Sequence, residues 1–259
     1  MIDSTTEKNT RGLAAPIIPQ ADATDGLLTL EALQLPVTLN FPLWDDSMPT
    51  DYNQLLVNGL PTGDIKKVAD DQPGDIVSLE IPPVLLMSDS VYAIGYRASV
   101  LDGLSADSPS IPMIVDRSAP GGRLIAPLIF DNDLQMLKSD ALKANGNSLT
   151  ARLPGYFDAK WGDVVRTYWG EQAGPEYTLT TEDPGSDHIE FTFGSQFIDL
   201  LADGEASVTY TITDRAGNLS MVSQPVVLRY PPCKEQESVH VPIKLCISLC
   251  QSNCCTSPN

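Results

Sequence analysis

The most constraining feature of this chain is that its pattern occurs twice. "LAAPIIPQAD" (Leu13–Asp22) returns as "LIAPLIFDND" (Leu124–Asp133), and the text that follows keeps the same order in both halves. Leu35–Asp46 corresponds to Ser148–Asp158: each is an alternating run that closes on Pro, then an aromatic, then Asp. Asn53–Gly63 corresponds to Asp163–Gly174, an apolar strand running into a Gly-bearing turn. Asp75–Pro83 corresponds to Asp187–Gly194, with Ile76, Leu79 and Ile81 set against Ile189, Phe191 and Phe193. Val91–Arg117 corresponds to Ser207–Tyr230, each a strand, a Gly turn, a Ser-containing bridge, a Pro and a final strand. The offset drifts from about 111 to about 115 residues through small loop insertions. That period is far too long for a solenoid repeat and matches one sandwich domain.

Alternation of apolar and polar residues marks strands with one buried face. Each half carries about seven such segments, separated by Pro- and Gly-rich turns. The fold expected is therefore all-β: two tandem immunoglobulin-like β-sandwich modules, over residues 11–119 and 120–232. The joint between them is "VDRSAPGG" (Val115–Gly122), stiffened by Pro120, with two glycines that allow a bend. Core positions expected in the first module are Leu39, Leu79, Ile81, Ile94 and Tyr96. In the second they are Leu149, Leu153, Val165, Ile189, Phe191, Val208, Tyr210 and Ile212. One helix is expected over Asp133–Gly146, with a shorter counterpart over Asp25–Leu33. Residues 1–10 are expected to be a disordered N-terminal segment.

All five cysteines fall within residues 233–259, so the two modules must hold by packing alone. The tail reads C-x12-C-x3-C-x3-C-C, which suits zinc poorly even with His240 inside it. It is expected to be a disordered or artefactual appendage. The net charge of −18 repels nucleic-acid phosphates and anionic lipid, which disfavours both as partners; no nucleic-acid partner and no membrane insertion are expected. No apolar run is long enough to insert in a membrane, and the N-terminus has no signal-peptide pattern.

"YTITDRAGNLS" (Tyr210–Ser220) and "VDRSAP" (Val115–Pro120) resemble bacterial immunoglobulin-like (Big-type) tandem repeats of large surface and adhesin-like proteins. Such modules end in a "TDxAGN" turn and are joined by "D-x-T-A-P"; here Ser118 stands where Thr is usual, and the first module has "VLDGLS" in place of the turn. The resemblance covers about residues 11–232. It implies a non-enzymatic spacer or adhesion unit on the cell surface or outside the cell, within a longer repeat array, with a protein or glycan partner. It also implies calcium at the joints, for which Asp116, Asp131 and Asp133 are the candidate ligands.

Chemistry is otherwise sparse. Two histidines, His188 and His240, and no G-x-S-x-G leave no hydrolytic triad. Carboxylate pairs such as Asp45–Asp46 and Asp70–Asp71 read as solvated turns. Aromatics near strand ends, Tyr156, Trp161 and Trp169 above all, are the candidate ligand-binding residues for a carbohydrate-binding alternative.

Overall fold

The computed structural model describes residues 12–130, 146–185, 188–200 and 204–229. The segment 1–10, nearly all of the helix expected over Asp133–Gly146, and the tail 233–259 lie outside those residues.

The first half contains β1 (Leu27–Leu28), β2 (Val37–Pro42), β3 (Tyr52–Val57), β4 (Leu60–Lys67), β5 (Ile76–Ile81), β6 (Ser90–Ser99), β7 (Ser105–Asp107) and β8 (Ile111–Val115). The second contains β9 (Ile129–Phe130), β10 (Leu149–Arg152), β11 (Val164–Trp169), β12 (Gln172–Thr178), β13 (Glu190–Phe193), β14 (Glu205–Thr213) and β15 (Val226–Arg229). In the first half β2 and β5 form one sheet, and β1-β8-β6-β3-β4 form the other, with β7 also on β6. In the second, β13-β10-β9 faces β12-β11-β14-β15.

The chain is a pair of all-β, immunoglobulin-like sandwiches. One core joins β2 and β5 to β3 and β6; a separate one joins β10 and β13 to β11 and β14. Every core residue expected from the alternation is buried. Phe41 of β2 stacks on Tyr96 of β6 across the first sandwich, ring centroids 3.6 Å apart. In the second, Trp169, Phe193 and Phe197 form a mutually packed triad.

Backbone pairing makes the duplication concrete. Leu39 faces Leu79 and Val37 faces Ile81, just as Ala151 faces Phe191 and Leu149 faces Phe193. Ser108 both donates its N–H to Tyr96 O and accepts the Tyr96 N–H on Oγ; Ser223 does the same for Tyr210. This is the Ser-containing bridge expected from the sequence. The hairpins at Val100–Leu104 and Asp214–Asn218 close with the same two backbone bonds, and Gly103 and Gly217 both have positive φ (83° and 94°). Asp46 and Asp158 likewise share a left-handed backbone, with φ of 63° and 60°.

Three sequence expectations need correction. Ile76 is 65% exposed and Val77 takes the buried place, because Leu79 and Ile81 fix the period-two phase and 77, not 76, shares their face. The opening phrases match in text one residue out of step with their match in space. Ile17 bridges Asn40 while Ile129 pairs with Arg152, so Ile17 corresponds to Ile129 and Leu13 to Ile125. Finally, Asp25–Leu33 is not helical throughout: β1 pairs in parallel with β8, and only Ala32–Gln34 forms a 3-10 turn. Gly26 explains why, since it has φ 83° and a Cβ there would lie 2.5 Å from Pro112 O, so the chain is pressed flat against β8.

Candidate functional site

The richest polar cluster among the described residues is the joint between the sandwiches. Three pieces of the first half reach it: the Asp22–Asp25 turn, the Leu30 region and the linker at Asp116. Two loops of the second half receive them, one carrying Lys160 and Trp161, the other the "DRAGN" hairpin.

Arg215 is the centre. Its guanidinium donates from Nη1 to Asp25 Oδ2 (2.6 Å) and from Nη2 to Asp22 Oδ2 (2.9 Å) and Asp25 Oδ1 (3.2 Å). Its carbon lies 3.8 Å from the Trp161 ring centroid, so the planar cation is stacked as well as paired. Close to the clamp, the Leu30 N–H donates to Ala216 O (2.7 Å), a backbone bond between the two halves. The Arg215 side chain is 17% exposed, Asp25 31% and Asp22 41%, so the Asp25 pair is the better shielded from solvent. Hydrogen bonding from Arg215 holds the Asp25 carboxyl below its usual range, against its burial. Asp22 is lowered too, first by the Thr24 N–H and then by Arg215.

Asp116 is the second anchor. Its Oδ1 accepts the Ser118 N–H (3.1 Å), its Oδ2 accepts the Lys160 ammonium (2.9 Å), and its carbonyl accepts Asn218 Nδ2 (3.1 Å). Lys160 also donates to Asp158 (2.9 Å). Burial disfavours the Lys160 charge, but Asp158 and Asp116 outweigh it and raise its pKa. Asn218 is held by Asp214, which accepts both its backbone N–H and its Nδ2. Behind the cluster, Asp163 is buried and accepts the Tyr156 hydroxyl (2.8 Å) and the Lys160 N–H (3.0 Å); burial raises its pKa. The linker is tied at both ends. Arg117 N–H donates to Asp89 and its guanidinium to Leu86 O, while Gly121 N–H donates to Phe157 O (2.9 Å).

Of the candidate calcium ligands, only Asp116 lies among the described residues. Its Oδ2 accepts the Lys160 ammonium. Asp131 and Asp133 lie outside the described residues, and no group of three or more metal-ligating side chains occurs among the described ones. The candidate aromatics separate as well. Trp161 is 40% exposed and serves the joint, Tyr156 is half-buried and tethered to Asp163, and Trp169 is a core residue, so its ring cannot meet a ligand. Its alternation on β11 faces inward with Val165, which is why a Trp at a strand end did not mean a Trp at the surface. His188 lies against Asp183 (3.1 Å), whose other oxygen accepts from Thr180 and Tyr177, which makes a closed turn.

No family model and no curated protein sequence matches the chain. Solved structures do resemble it. A 1.5-MDa bacterial ice-binding adhesin is 17% identical, with 80% of this chain and 61% of that one covered and a TM-score of 0.45. A Ca2+-stabilised adhesin of an Antarctic bacterium is 16% identical, with 84% and 49% covered and a TM-score of 0.47. The fibronectin(III)-like modules of Clostridium thermocellum CbhA are 11% identical, with 84% and 92% covered and a TM-score of 0.39. The chain thus spans about three-fifths and half of the two adhesin chains it resembles.

Proposed function

We propose that the chain is a non-enzymatic tandem unit of a larger bacterial surface or secreted protein, and that it acts as a spacer and protein-interaction module. Its mechanism is rigid presentation: two self-sufficient sandwiches are locked at their ends, so that loops at the far ends stand at a fixed separation. The observation that carries this reading is the Arg215 clamp on Asp22 and Asp25, together with the Lys160–Asp116 pair. Flexibly linked domains have no need of a stacked, half-buried guanidinium between them. A protein partner is favoured over a glycan, because Trp169 is buried, Tyr156 is tethered to Asp163 and Trp161 is covered by Arg215. Small-angle scattering of the full chain tests the proposal. An elongated particle with a narrow size distribution is expected; a compact globule refutes it.

A further inference from the structure

A cavity of about 180 Å³ lies between the two sandwiches, with Asp25, Ile114 and Asp116 of the first half and Asp163 and Asp214 of the second among its walls. Asp163 is the acid that the joint treats worst. It is 1% exposed. Its Oδ2 takes two donors, the Tyr156 hydroxyl and the Lys160 N–H. Its Oδ1 is buried and has no hydrogen-bond partner among the described residues.

The repeat separates what the turn needs from what the joint adds. At the matched position of the first sandwich, Asp51 accepts the Met48 N–H, so both turns use an acceptor three residues on. Asp51 stands away from the joint: it precedes Tyr52, which pairs with Ser99, whereas Ser90 at the other end of β6 pairs with Val115. Asp163 has the joint closed over it. The cations near it are committed elsewhere. Lys160, on its own loop, turns its ammonium to Asp116 and Asp158, and Arg215, on the hairpin, holds Asp22 and Asp25. The other groups around it are acids and phenols: Asp214 on the hairpin, Asp25 and Asp116 from the first half, Tyr156 on its own loop and Tyr210 of β14 beside Tyr156. An ionised carboxyl with one dry, unpaired oxygen costs far more to bury than a neutral one. Burial raises the Asp163 pKa above its ordinary 3.8, against the bonds from the Lys160 N–H and Tyr156, and Asp214 adds to the rise.

We infer that the joint contains a proton-operated latch: with a proton on Asp163 the Lys160–Asp116 edge closes over it, and loss of that proton to solvent draws water into the cavity and loosens that edge. A carboxyl that holds its proton more tightly in the closed joint favours closure fully below 3.8, and this contribution is lost as pH rises through the raised value. The Asp25 contribution runs the other way, present above 3.8 and lost as pH falls through its lowered value. The joint is therefore tightest between the two. The latch rests on the rigid-joint reading and adds regulation to it.

An NMR titration of the full chain tests the latch. The Asp163 carboxyl carbon should titrate above 3.8. The Asn218 Nδ2–H, which donates to Asp116 O across the joint, should shift with the same midpoint. The closed-to-open ratio of that edge should fall about tenfold for each pH unit by which the midpoint exceeds 3.8. Asp163→Asn keeps an acceptor for Tyr156 and the Lys160 N–H but carries no charge, so the Asn218 transition should vanish with the edge closed. Tyr156→Phe removes a donor that favours the charged form, so it should move the midpoint upward. An Asp163 midpoint at or below 3.8, an Asn218 resonance that ignores it, or a transition that survives in Asp163→Asn overturns the inference. The first two are read on the unaltered chain and stand even where the variant fails to fold. The Arg215 pairs with Asp22 and Asp25 involve other groups and persist, so dipolar couplings from the two sandwiches should fit one orientation at both ends of the titration. One orientation with a silent Asn218 overturns the latch alone; two orientations overturn the rigid joint and the latch with it.

Discussion

Arg215→Ala removes the clamp while leaving both cores untouched, so it isolates the joint. The guanidinium makes two bonds to Asp25, at 2.6 and 3.2 Å, with side-chain exposures of 17% and 31% for the two partners. A charge-assisted bidentate pair of that burial contributes about 1 kcal/mol, more than a fully solvated one. Stacking on Trp161 adds about 0.5–1 kcal/mol. Together they amount to about 1.5–2 kcal/mol, which shifts the closed-to-open ratio of the joint roughly 10- to 30-fold. Hydrogen exchange at the Leu30 amide reads this ratio directly, since that N–H donates across the joint to Ala216 O. Its protection should fall by that factor in Arg215→Ala, while amides of β3 and β11, inside the two cores, keep theirs. In a double-mutant cycle with Asp25→Ala, a coupling of about 1 kcal/mol is expected. Unchanged Leu30 protection would refute the reasoning. An equal fall at all amides would refute it too, because the residue would then support one sandwich and not the junction.

Other perturbations separate the two halves. Tyr210→Phe should destabilise the second sandwich by about 1 kcal/mol, because Ala126 O loses its donor, whereas Tyr96→Phe should be neutral or stabilising in the first; calorimetry of both variants checks the contrast. Gly26→Ala should cost about 2 kcal/mol in chemical denaturation, since a methyl group would meet Pro112 O from a left-handed backbone. The Asp25 carboxyl is held below its ordinary value of 3.8, so the joint's contribution is present above that value and is lost as pH falls through the lowered one. The Arg215 Nε–H resonance should therefore hold its position at pH 5 and move only below 3.8; a transition near pH 5 would contradict this. Lys160→Ala should also lower Leu30 protection, because it removes the ammonium that Asp116 accepts across the joint; hydrogen exchange of that variant checks it.

Much of the fold was legible because a sandwich writes its buried face locally. Alternation at Leu39, Leu79 and Ile81, and at Val208, Tyr210 and Ile212, needs only neighbouring residues to be read. The "DRAGN" hairpin was legible for the same reason: Asp214, Asn218 and Gly217 bond and bend within one turn. The joint was not. Arg215 and Asp25 are 190 residues apart, and no local pattern links them. One signal was present nonetheless. At matched turn positions the repeat exchanges Leu101 for Arg215, and a charge that appears in one copy alone marks a contact the other copy lacks. Text similarity also misled at the opening phrase, where a shared Ala-Pro hid a one-residue shift that the pairing with Asn40 and Arg152 decides.

Residual dipolar couplings of the full chain in a dilute aligning medium test the fixed joint most directly. Two locked sandwiches share one alignment tensor, so couplings from β2–β8 and from β10–β15 should fit a single orientation. Two tensors of different magnitude would mean that the halves tumble separately, and the clamp would then not be the organising feature of the molecule.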